Sequence, residues 1–111
     1  MIFSTLLKQF QNLSNGSDAF KQLKNHCEAH ILNADSDLEN STLFLIYGFA
    51  KNYVLLYEDQ AVTAEFSAAA KTQLLGYMQQ LNNAIETGNK TLIFDTLNQV
   101  TAEYMQSSRV F

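Results

Sequence analysis

Proline and tryptophan are absent from the 111-residue chain, cysteine occurs once and glycine four times. An all-β domain needs a turn signal every few residues, so missing proline and scarce glycine argue against one. A single cysteine excludes an internal disulfide framework and a thiolate zinc cage built within one chain. Charge is also scarce: 16% of residues are charged, where about a quarter is usual. The net charge is −4 and Arg109 is the lone arginine. That balance excludes generic nucleic-acid binding, which needs a cationic surface facing phosphate. Long apolar runs are missing too. The best stretch, Leu43 to Tyr57, is interrupted by Lys51-Asn52 and falls short of the roughly 20 residues that span a bilayer. The first residues, Met1 to Lys8, lack the basic, apolar and small-residue regions of a secretory leader. These absences lead to the expectation of a cytoplasmic protein that does not enter membranes.

Apolar residues make up 47% of the chain, enough for a packed core in a single domain spanning 1–111. Their spacing predicts five helices. The first runs from Ile2 to Leu13, with Phe3, Leu6, Leu7 and Phe10 on one face. The run Ser14-Asn15-Gly16-Ser17 stops it, and Ser17 or Asp18 can cap a second helix that reaches Asn33. Phe20, Leu23, Cys27, Ile31 and Ala34 form the stripe of the second. The third helix, from Leu38 to Glu58, carries an apolar arc over more than half its circumference, with Phe44 and Leu55 outside even that arc. A helix apolar nearly all round is expected to be buried, so the third is expected at the centre, with Gly48 admitting a close neighbour. Thr63 caps the fourth helix, which runs to Thr87 and stops at Gly88, where a left-handed residue is expected. The fifth runs from Lys90 to Ser107. Short connections favour antiparallel neighbours. The expected fold is therefore all-α: a compact single-domain bundle of about five helices around a buried central third helix.

The acidity is local. Residues 35–66 hold Asp35, Asp37, Glu39, Glu58, Asp59 and Glu65 against Lys51 alone. Asp35, Asp37 and Glu39 suit the positive end of the third helix, whereas Glu58 and Asp59 sit at its negative end, where the dipole disfavours them. Glu58 and Asp59 serve either the start of the fourth helix or an acidic docking surface for a basic protein. Asn and Gln total nineteen, and amide-rich faces tolerate burial in an interface better than charged ones do. Tyr53, Tyr57 and Tyr77, expected at the core boundary with their hydroxyls toward water, are the matching aromatic contacts. A homodimer is a further expectation from the wide neutral faces.

Catalytic and metal motifs are few. In His26-Cys27-Glu28-Ala29-His30 the two histidines share a helical face at i and i+4, so His26 and His30 are candidate metal ligands. The glutamate does not follow the first histidine, so the pattern is not that of a zincin. A site would need a third and fourth ligand from elsewhere, such as Asp35, Asp37 or a second chain, so the expectation is one boundary histidine, His30, one exposed histidine, His26, and no metal. Cys27 faces the core and reads as a small buried hydrophobe, not a nucleophile. Asp35-Ser36-Asp37 resembles the start of a calcium loop, but Asn40 and Ile46 occupy the positions that need Gly and Glu. No phosphate loop or nucleophile elbow is present. The expected function is a small, acidic, non-catalytic protein-binding module without a cofactor, of the inhibitor, immunity, antitoxin or adaptor type. The alternative is a helical bundle that holds a small ligand or metal.

Overall fold

The computed structural model describes residues 2–33 and 37–111, apart from the side chains of Asp37 and Leu38. Five helices form: α1 (Ile2–Asn12), α2 (Ser17–Asn33), α3 (Asp37–Tyr57), α4 (Ala64–Thr87) and α5 (Lys90–Gln106). Each agrees with the spacing of apolar residues to within about a residue at either end. The caps follow local chemistry. The Thr63 hydroxyl accepts the N–H of Phe66 at 3.0 Å, and Gly88 closes α4 in the left-handed region at φ 68°. Asn89 then caps α5 by accepting the N–H of Leu92 at 3.1 Å.

Consecutive helices run antiparallel. Lys21 of α2 meets Glu58 near the end of α3, Tyr57 of α3 meets Phe66 of α4, and Gln80 of α4 bonds Glu103 of α5. α1 touches both α2 and α4, α2 touches α3, and α3 touches α4. The first four helices thus close a ring, and α5 lies outside it against α4. Antiparallel steps on both sides of α4 make α3 and α5 parallel to each other.

The ring encloses the core. Phe3, Leu6 and Phe10 of α1, Phe20, Leu23 and Cys27 of α2, Leu43, Ile46 and Tyr53 of α3, and Leu74, Met78 and Leu81 of α4 are all buried. Among the described residues, Glu39 and Lys71 are the charged side chains spent inside. Glu39 is buried and its Oε1 accepts the N–H of Phe3 at 3.0 Å, which satisfies a donor left open at the start of α1. Lys71 is buried and its Nζ donates to the carbonyls of Gln11, at 3.3 Å, and Leu13. This binds the last turn of α1, where a cation is favoured.

The chain then folds back onto α3. Arg109 adopts φ 54° and its guanidinium caps α5 by donating to the Met105 carbonyl from Nε at 3.1 Å and Nη2 at 2.9 Å. Phe111 lands buried, its ring 5.2 Å from Phe49 and stacked on Tyr104. The Tyr104 hydroxyl donates to the main-chain oxygen of Phe111. The far end of α5 is therefore pinned to α3, while a groove separates Leu97 and Thr101 from α3.

α3 is interior on one side only. Leu43, Ile46, Ala50 and Tyr53 face the core, but Phe44, Leu55 and Leu56 are 66%, 72% and 53% exposed. α5 packs on α4 and leaves this outer side of α3 uncovered, which accounts for the difference from burial all round. Nor does a neighbour in the chain use Gly48: a Cβ built there meets nothing within 4 Å. Among the described residues, no helix is long and apolar enough to cross a membrane.

Candidate functional site

The residues expected to form an acidic, tyrosine-rich contact surface are dispersed. Tyr53 is fully buried, stacked 3.8 Å from Phe20, and its hydroxyl lies 3.5 Å from Ser67 Oγ. Tyr77 is buried too, with its hydroxyl accepting from Gln73 Nε2 at 2.9 Å. Both are corrections to the boundary placement. Their rings complete aromatic clusters between helices, and protein side chains take the place of water at the hydroxyls. Tyr57 is half-buried between Tyr53 and Phe66. Glu39 is the third correction, since its carboxylate serves α1 from inside the bundle. Asp35 and the side chain of Asp37 lie outside the described residues.

Of the six candidate acids and tyrosines with described side chains, Glu58 and Asp59 remain exposed. Glu58 already has a partner: Lys21 Nζ lies 3.1 Å from its Oε1. That hydrogen bond and the charge of Glu58 raise the Lys21 ammonium above its ordinary value. Lys21 thereby offsets an acid at the wrong end of the α3 dipole.

The two histidines lie one turn apart on α2, and both are half-buried, so His26 is less exposed than expected. Among the described residues, no three His, Cys, Asp or Glu side chains gather in a metal-binding arrangement. Cys27 is buried as expected, and desolvation pushes its thiol up to about 12. A thiol held protonated in this way is a poor nucleophile.

The surface feature that stands out is apolar. Phe44 forms a ridge between two grooves. On one side a groove of about 150 Å³ runs between α2 and α3, lined by Glu28, Ile31, Leu32, Phe44 and Tyr47. On the other a wider groove of about 420 Å³ separates α3 from α5, with Leu45, Gly48 and Phe49 facing Leu97 and Thr101 across it. Leu32, at 77% exposure, extends the apolar surface at the α2 edge, and Phe94 of α5 is a further exposed apolar side chain at 63%. Further along the ridge Lys51 bends aside, its Nζ 6.0 Å from the Tyr47 ring; Leu55 continues the apolar line, and Leu56, about 100° round the helix, lies on the flank of Leu45 and Asn52. Periodicity alone missed this surface. The signal was present in Phe44 and Leu55, which fall outside the main arc of α3, yet an apolar residue on an outer arc fits a buried helix and an uncovered one equally well.

No known protein family, curated protein or solved structure matches this chain.

Proposed function

We propose that the protein is a small, non-catalytic protein-binding module, an inhibitor, immunity, antitoxin or adaptor type of protein, that docks through the outer face of α3 and its flanking grooves. One observation carries the reading: Phe44, Leu55 and Leu56 lie largely exposed on a single helix. Contiguous apolar surface of more than a few hundred Å² is uncommon on monomers and marks sites of association. Two grooves astride a ridge suit a helix laid alongside it. Glu58 and Asp59 supply an acidic flank next to Leu55 and Leu56 for a basic protein. The buried, protonated Cys27 favours a non-catalytic role for α2.

The test is affinity capture from native cells at low and high salt, with wild type, Phe44→Glu, and the double reversal Glu58→Lys with Asp59→Lys. Apolar docking predicts stoichiometric capture of a protein that survives high salt and is lost in Phe44→Glu. Capture that fails at high salt, and fails in the double reversal but not in Phe44→Glu, would return the site to the acidic residues.

A second reading has one observation in its favour. The α3–α5 groove, about 420 Å³ and lined by Phe44, Leu45, Phe49 and Leu97 with Ser41, Asn52 and Thr101, has the size and composition of a small-ligand site. A native mass above that of the chain alone would support this reading.

A further inference from the structure

We infer that the exposed stripe of α3 is the seam of a two-fold dimer, occupied by an antiparallel α3 from a second copy of this chain. This rests on reading the outer face of α3 as a protein-docking surface, and it names the occupant and the register.

Ser41, Phe44, Gly48, Lys51, Leu55 and Glu58 follow one another at steps of 3, 4, 3, 4 and 3 residues. That is the repeat of a helix–helix seam. It reads the same in both directions about a point between Phe49 and Ala50. Reversing the helix therefore superposes every seam position on another. Phe44 meets Leu55 of the partner subunit, Gly48 meets Lys51 of the partner subunit, and Ser41 meets Glu58 of the partner subunit. Large apolar side chains face each other, and the smallest residue faces the longest. A two-fold contact requires such self-complementarity, because one patch must fit itself.

Gly48 leaves room at the middle of this seam. Glycine weakens a helix interior, and within one chain nothing uses the room it leaves, since a Cβ there meets nothing within 4 Å. In the antiparallel register the aliphatic stem of Lys51 of the partner subunit lies over that space, with its ammonium reaching outward. Lys51 is already drawn off the ridge toward Tyr47.

Phe44, at 66% exposure, presents roughly 130 Å² of side chain, taking about 200 Å² for a whole aromatic; Leu55 on the ridge and Leu56 on its flank, 72% and 53% exposed, add to it. A standard interface buries about 800 Å² per partner. Leu45, Tyr47, Asn52 and the Lys51 stem border the same ridge and add to that area. An interface of this size forms a dimer that separates on dilution. The two Lys51 ammonium groups lie near the axis, so added salt should tighten the dimer by screening them.

The experiment is sedimentation equilibrium over a range reaching submillimolar concentration. Wild type is expected to approach twice the chain mass. Phe44→Glu and Leu55→Lys each replace an exposed side chain, so each should keep the wild-type helical circular dichroism while associating ~10-fold or more weakly. An equimolar mixture of the two variants should recover the dimer, because the register sets the new glutamate against the new lysine and keeps one Phe44–Leu55 contact intact. A wild type that stays monomeric throughout overturns the dimer. So do variants that associate as wild type does, or a mixture that fails to recover while wild type dimerises. A monomeric wild type that still captures a foreign protein through Phe44 would sink the dimer alone and leave the docking face standing.

Discussion

Cys27 sits fully buried on α2, and burial pushes its thiol from an ordinary 9.0 up to about 12. The folded state therefore keeps the proton after the unfolded chain has lost it. The resulting contribution to stability is complete below pH 9 and is lost as pH rises from there toward 12. The slope approaches about 1.4 kcal/mol per pH unit inside that window. Urea unfolding of wild type and Cys27→Ala across this range should show the slope in wild type and its absence in the variant. Equal slopes would mean that the thiol is solvated. The burial of Cys27 was legible from its place on the α2 stripe. The roles of Glu39, Tyr53 and Tyr77 were not, because each depends on a group distant in sequence: the N–H of Phe3, the ring of Phe20, and the aromatic cluster around Phe49. An acid next to a helix start looks the same in sequence whether it caps its own helix, another helix, or nothing.

At the level of the helix, Gly48 and Gly88 provide a contrast. Gly88 holds φ 68° at the end of α4, a region that costs a Cβ-bearing residue energy, whereas Gly48 lies in an ordinary helical turn facing open space. Gly88→Ala should destabilise the fold by about 1 kcal/mol or more. Gly48→Ala should stabilise the monomer by up to about 1 kcal/mol. Denaturant midpoints at high dilution, where no dimer persists, check both signs; a destabilised Gly48→Ala would show that α3 is crowded there. Helix boundaries were legible because stop and start signals are local: Thr63 and Gly88 do their work within three residues of themselves. The outer stripe of α3 was half legible. Its residues could be read, but whether a neighbour covers them is decided by helices elsewhere in the chain.

The whole molecule is a ring of four helices with α5 added on one side, and Phe111, together with the Tyr104 ring 4.7 Å from Phe49, ties that addition to α3. Its buried ring touches Phe49 of α3, Tyr77 of α4 and Tyr104 of α5. Phe111→Ala should therefore cost about 3 kcal/mol or more and should loosen α5 before the ring. Hydrogen exchange should report faster amides in α5 than in α1 or α2, and uniform acceleration would show that α5 is integral to the ring's cooperativity. The same arrangement sets the docking surface, because α5 meets α3 at its far end and leaves the α3–α5 groove open along Phe44, Gly48 and Leu97.

By itself the sequence determined the all-α class, five helices, the Thr63 and Gly88 caps of α4 and most of the core, because helical periodicity and capping are short-range: they act through neighbours three or four residues apart. Tertiary structure alone decided that the first four helices close a ring, that α5 stands outside it, and that the chain end turns back onto α3. It also decided which apolar residues of α3 stay exposed. Burial is a property of what packs against a face, and packing partners tens of residues apart leave no periodic trace in either segment.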